Sequence, residues 1–170
     1  MGLLITNADF VGEFALATNQ TTDDKLDLAI AEFEESYLID LLGKTLFDLF
    51  KANVIAGSGT PTGIYLTIYN AFNFDDNSCI KKSIGMKKMV TGFVFWEYAR
   101  RQPYKNTIAG YIKQKVELGE VVTFEESDIY GRYNYALKTY EAIQWYIEKE
   151  KTDSIYQDYN GQYKSIVSPY

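Results

Sequence analysis

The stretch Ile129-Tyr130-Gly131-Arg132-Tyr133-Asn134-Tyr135-Ala136-Leu137-Lys138-Thr139-Tyr140-Glu141-Ala142-Ile143-Gln144-Trp145-Tyr146-Ile147 decides how the rest of the chain is read. Ile129, Tyr133, Ala136, Tyr140, Ile143 and Ile147 recur at steps of four, three, four, three and four. That is the period of a helix with one buried face. Thr123 and Glu126, just upstream, match a capping box. The stripe is short for a self-associating coiled coil, so it predicts packing inside a bundle.

The same period appears earlier. Leu26, Ile30, Phe33, Tyr37 and Leu41 form a second stripe, with Thr21 and Asp24 as its capping pair. Gly43 is the predicted break. Leu46, Leu49, Phe50 and Val54 then resume the pattern until Gly57-Ser58-Gly59-Thr60-Pro61 ends it. Tyr65, Leu66, Ile68 and Tyr69 fit a short helix. Asn73 to Ser78 reads as a turn feeding a helix, with Asp75 and Asp76 as N-terminal caps. That helix is predicted from Cys79 to Arg101. Val90, Phe93, Val94, Phe95, Trp96 and Tyr98 make it apolar on nearly every side, as a central bundle helix should be. Lys81, Lys82, Lys87 and Lys88 cluster at its start. On a helix Lys81 and Lys88 share a face, open to an acidic partner or a phosphate backbone, or simply to solvent.

Residues 104–122 continue no helix. Their β-branched, partly alternating character predicts an extended insertion or a β-hairpin turning near Lys113-Gln114. Residues 151–170 are polar and aromatic, and read as an extended tail frayed or ordered on a partner. The expected fold is therefore mainly α. It is a bundle of about four to five helices over 1–150, with an extended or hairpin insertion at 104–122 and a C-terminal interaction tail over 151–170.

Composition narrows the function. The 170 residues carry a net charge of −6, with 15 Tyr, 10 Phe and 2 Trp. Broad gripping of nucleic acid needs clustered Lys and Arg, which an acidic chain does not favour. The tyrosine excess points to core and interface alike, because Tyr joins a large apolar body to a polar tip. There is no histidine, so the commonest general base and metal ligand are missing. The single cysteine, Cys79, reads as a small buried residue and has no partner for a disulfide. The glycine-rich Gly57-Ser58-Gly59 lacks the lysine of a phosphate loop. No catalytic, cofactor or metal residue is expected. The opening residues carry no basic run, and no stretch approaches the length of a membrane span, so neither a secretory leader nor a membrane partner is expected.

Several ordered pieces carry a resemblance. They are Leu4-Ile5-Thr6-Asn7-Ala8-Asp9-Phe10, Tyr37-Leu38-Ile39-Asp40-Leu41-Leu42-Gly43 with Leu46-Phe47, and Asp75-Asp76-Asn77-Ser78. They continue with Gly85-Met86-Lys87, Gly92-Phe93-Val94-Phe95-Trp96-Glu97-Tyr98, Tyr130-Gly131-Arg132-Tyr133-Asn134 and Tyr140-Glu141-Ala142-Ile143-Gln144-Trp145-Tyr146. Together, over nearly the whole chain, they resemble the head–tail connector (ring or adaptor) proteins of crAss-like tailed phages. The resemblance implies a helical-bundle adaptor in the phage neck, made in the host cytoplasm. It implies a homo-oligomeric ring, usually of twelve copies, below the portal protein. Such a ring extends the DNA channel, encloses DNA without sequence-specific binding, and meets further ring or tail proteins. It implies no catalysis and no cofactor. The residues expected at partner interfaces are Ile108, Tyr111, Ile112, Tyr156, Tyr159, Tyr163, Ile166 and Val167. A free helical regulator binding a host or phage protein is the alternative reading, and a carboxylate enzyme a third.

Overall fold

A computed structural model describes residues 2–16, 23–75, 80–101, 104–107, 110–113, 129–152 and 155–166. The proposed caps Thr21 and Thr123, together with Asp76 and Cys79, lie outside these. The chain is mainly helical, as the stripes predict. Among the described residues the α-helices are α1 (Asp23–Leu42), α2 (Lys44–Ala56), α3 (Ile64–Tyr69), α4 (Met86–Arg101) and α5 (Ile129–Glu150). Two antiparallel hairpins join them. One pairs β1 (Phe72–Asp75) with β2 (Ile80–Ser83), and the other pairs β3 (Tyr104–Thr107) with β4 (Gly110–Lys113).

The centre is α4. Met86 and every residue from Met89 to Tyr98 are buried. A helix apolar on all sides needs cover on all sides. α5, α1, α3 and a 3-10 turn at Gly12–Phe14 supply it. Gly92 sets the closeness of the α4–α5 crossing. A Cβ there would stand 2.9 Å from Ala136 Cβ and 3.3 Å from the Phe14 ring. Aromatic rings fill the layer around it. Tyr37 stacks on Phe93 at 4.4 Å, and Phe93 meets Tyr133 and Tyr140 edge-on.

The central helix starts later than its sequence suggests. Ile80 to Ser83 is a strand, because Phe72, Asn73 and Phe74 alternate opposite it and turn Phe74 inward. Phe72 and Phe74 then pack on the Tyr146 ring. Gly85, at φ +97°, separates strand from helix, and its N–H donates to Ser83 Oγ at 3.1 Å. Asp75 is thus a strand residue and not a helix cap. The other hairpin also turns earlier than expected. Its innermost pair is Thr107 with Gly110, not a pair around Lys113-Gln114. Glycine at a strand end suits so tight a reversal.

Both ends of the chain are tied to α1. Near the start, the Leu3, Leu4 and Ile5 N–H groups donate to the Glu34 carboxylate at 2.6, 2.6 and 3.1 Å. Near the end, the Asn160 and Gln162 N–H groups donate to the Leu42 and Asp40 carbonyls at 3.4 and 2.6 Å. A helix leaves its last carbonyls without intrahelical donors, and here the tail provides them. Gly43, at φ +78°, turns the chain into α2 and leaves room for that strand of tail. A Cβ on it would lie 2.8 Å from the Asn160 carbonyl oxygen.

Glu34 is only 2% exposed, and burial holds its carboxyl above the ordinary value of 4.5 against the pull of the three N–H donors. Glu34→Ala leaves those donors without a partner and should cost about 2–3 kcal/mol in urea unfolding, with loss of hydrogen-exchange protection at Leu4 and Ile5. The native state binds this proton more tightly than the unfolded chain does. Its contribution to stability therefore falls as pH rises through the raised value. The stability gap between wild type and Glu34→Gln should narrow as pH climbs above 4.5.

Candidate interaction surfaces

The cluster of four lysines does not form one helical face. Lys81 and Lys82 lie on β2, while Lys87 and Lys88 open α4. The latter two are neutralised within the chain. Lys87 Nζ is 2.8 Å from Asp9 and Lys88 Nζ 2.7 Å from Glu13. Burial pushes the Asp9 carboxyl up, but Lys87 and the Thr6 N–H and hydroxyl bring it below its ordinary value overall. Asp9, Lys87 and Lys88 line an open cleft of about 310 Å³ with Tyr69-Asn70-Ala71, Ile84-Gly85 and Thr91.

A second polar group is more deeply set. The Tyr37 hydroxyl donates to Glu97 Oε1 at 3.0 Å, and Arg100 Nε donates to the other oxygen at 2.8 Å. Burial, then the neighbouring Glu97 charge, pushes the Tyr37 phenol well above its ordinary range. The triad closes the α1–α4 contact with every partner satisfied. It makes a buried polar fastening, which is how such groups are tolerated. Among the described residues no group of three or more His, Cys, Asp or Glu is placed to hold a metal ion. Among them no helix is long and apolar enough to cross a membrane.

The expected interface residues separate into three sets. Ile108 and Val167 lie outside the described residues. Tyr111 and Ile112 fall on β4, opposite Asn106 and Lys105. The two strands pair with each other and have no comparable packing on a helix among the described elements.

The tail departs from expectation. It is extended, but residues 155–166 lie against the chain's own bundle rather than free of it. Tyr156 and Tyr159 are buried and belong to the same core as Leu4 and α4. The Tyr156 hydroxyl donates to the Ile64 carbonyl at 2.6 Å. The Gln162 carbonyl accepts from the Tyr140 hydroxyl and from Gln144 Nε2. Lys164 pairs with Asp40 at 2.7 Å. The physical reason is that the tail N–H groups meet the open carbonyls of α1 while two phenol rings fill the space beside them. Toward the far end Tyr163 and Ile166 are 69% and 70% exposed, although the Tyr163 hydroxyl donates to the Glu148 carboxylate.

Sequence reading missed two apolar surfaces. Leu49, Ala52 and Ile55 follow at steps of three on the outer side of α2, and Ile64 and Leu66 are exposed on α3. No charged residue occurs between Lys51 and Asp75, and that gap was the available signal. Elsewhere Ile80 is 73% exposed on the outer face of β2, and Trp145 at 44% and Tyr135 are exposed on α5. The core stripe of α5 drew attention away from its outer residues.

Comparison with protein-family models, with curated proteins and with solved structures finds no match.

The tail contacts separate two kinds of tyrosine-region residue. Tyr159→Ala should destabilise by about 3–4 kcal/mol, as for other buried aromatics, while Ile166→Ala should stay within about 0.5 kcal/mol. Urea unfolding of the two variants measures the difference.

Proposed function

We propose that this chain is a structural subunit of a phage head–tail connector: a homo-oligomeric ring, dodecameric by the resemblance, that extends the DNA channel and joins portal protein to tail. The observation that carries the reading is the pair of exposed apolar surfaces. One lies on α2 and α3 and the other includes Tyr135 and Trp145 on α5, and the described core covers neither. A ring subunit meets two identical neighbours through two different surfaces, because a head-to-tail contact uses unlike patches. A self-complementary dimer needs only one.

The insertion supports the same reading. A two-stranded hairpin is marginal in water on its own and gains stability by packing on something else. Among the described elements β3 and β4 pair chiefly with each other, and in the proposed ring a neighbouring subunit would pack on them. The bundle is held by buried aromatic packing and tied at both ends, which suits a part that transmits load and performs no chemistry. The net charge of −6 suits a channel through which DNA slides unheld.

The test is mass and shape. Light scattering and native mass spectrometry on the purified chain at tens of micromolar should report a closed oligomer, and negative-stain images should show rings with a central opening. The protein should also co-purify with phage particles at their neck. A monomer at every concentration, absent from particles, would favour the free regulator instead.

A further inference from the structure

The tail seats on the end of α1, the start of α3 and the middle of α5. Its Asn160 and Gln162 N–H groups donate to the Leu42 and Asp40 carbonyls, and its Gln162 carbonyl accepts from Tyr140 and Gln144. The Tyr156 hydroxyl donates to the Ile64 carbonyl. Lys164 Nζ stands 2.7 Å from Asp40 and 4.7 Å from the centre of the Tyr37 ring. Two glycines permit the close approach. A Cβ on Gly43 would meet the Asn160 carbonyl oxygen at 2.8 Å, and one on Gly161 would fall on the Leu41 carbonyl oxygen. The seat is therefore shaped for this segment, backbone against backbone, and none of these bonds depends on which copy of the chain delivers the tail.

The connection from α5 to the tail is short and strained. α5 ends at Glu150, and Tyr156 already reaches into the seat. The Thr152 N–H donates to the Ile155 carbonyl at 2.9 Å, and the Ile155 N–H to Thr152 Oγ1 at 3.2 Å, which closes a turn at the surface where water can replace both bonds. Tyr156 leaves that turn at φ +50°, a left-handed conformation that bulky side chains rarely adopt. Rotation about its N–Cα bond redirects the chain before it and leaves its side chain and the residues after it in place. A straightened hinge thus loses the strain and keeps the bonds to the seat. Short hinges under strain favour exchange of the attached segment between copies. We propose that in the assembled protein residues 156–166 of one copy occupy the seat of the next. The inference rests on the homo-oligomer reading. Tail and seat are unlike surfaces, so their contact is of the head-to-tail kind that can run around a ring. Residues 151–155, fully extended, span about 17 Å, so the next copy's seat lies within that reach of the end of α5.

The test is cross-linking between two full-length versions co-expressed with different tags. Both carry Cys79→Ser, which removes the native thiol; one adds Asp40→Cys and the other Lys164→Cys. The native side chains at these positions touch, so a short bis-maleimide joins the two versions when the tail of one lies in the seat of the other. Circular dichroism checks that each version keeps the wild-type helix content. The doubly tagged product should exceed by at least tenfold that of a control with Lys138→Cys, an exposed position off the seat, in place of Asp40→Cys. A version carrying both thiols should give a ladder of joined chains. Four glycines inserted after Thr152 relieve the hinge and should return the tail to its own seat, cutting the joined product at least threefold; an unchanged yield would overturn the hinge as the cause of exchange. If the two-thiol version closes only within single chains and the co-expressed pair gives no more than the control, the proposal is overturned, while rings in negative-stain images would leave the ring reading standing. If joined chains form but light scattering reports dimers alone, exchange stands and the ring reading fails.

Discussion

A helix with no polar side cannot stand anywhere except in the middle, and α4 imposes that condition on the whole chain. From Met89 to Tyr98 all ten residues are buried, including Thr91 and Glu97. Thr91 returns its hydroxyl to the Lys87 carbonyl at 3.0 Å, and Glu97 is bound by Tyr37 and Arg100. With Thr91 and Glu97 so satisfied, the middle of α4 presents apolar surface to its neighbours, and its charged side chains, Lys87, Lys88, Arg100 and Arg101, sit at the two ends. Burying such side chains is worth about 1.5–3 kcal/mol each, so the elements that cover α4 are recruited by it. α1 and α5 lie along it as long amphipathic helices. α3 and the turn at Gly12–Phe14 fill what they leave open.

α1 then anchors what is neither helix nor hairpin. Glu34 faces inward from α1 and gathers three N–H groups of the leading segment. The last carbonyls of α1 receive two N–H groups of the tail. In both places a helix meets irregular backbone, and each side satisfies groups the other cannot. Tyrosine serves the same end. Among the described residues six tyrosines are buried; the Tyr140 hydroxyl on α5 donates to the Gln162 carbonyl of the tail, and the Tyr156 hydroxyl in the tail donates to the Ile64 carbonyl of α3. A ring that packs like phenylalanine and ends in a donor can hold a strap against a core without leaving a carbonyl dry. The aromatic excess is therefore divided between core fastening and exposed positions such as Tyr135 and Tyr163.

The helices were legible because their signal is local and repeated. The α5 stripe, the α1 stripe and the Gly43 break all occur where period and turn chemistry put them. The hairpin at Phe72–Ser83 was not legible, because its cause is distant: Phe72 and Phe74 gain their cover from Tyr146, more than seventy residues away. Reading Ile80-Lys81-Lys82-Ser83 as helix followed from its closeness to α4, and the positive-φ Gly85 that separates them looks like any glycine in a sequence. The docking of the tail was hidden for a like reason. Its polar, aromatic composition is that of a chain without a core, and only the open end of α1 gives it one. Lys81 stood out in the sequence, but its contact with the Trp145 ring did not, because Trp145 comes from the far end of the chain and only folding brings the two together.

Net charge is a poor guide to what such a surface can hold, because charge acts over a short distance. At physiological salt the screening length is about 8 Å, well under the width of a helical bundle. Exposed lysines such as Lys82 and Lys138 therefore act on whatever lies against each of them, whatever the sum over 170 residues. In the proposed ring the two scales serve different tasks. Local complementarity joins neighbours at chosen contacts, while the overall negative charge discourages phosphate from settling on the protein. A subunit with the same residues but evenly scattered charges would lose the first property and keep the second. The uneven placement shows in Lys44, Lys51, Lys87, Lys88 and Lys164, each held by a carboxylate within the fold, while lysines such as Lys82 and Lys138 stay exposed to whatever approaches them.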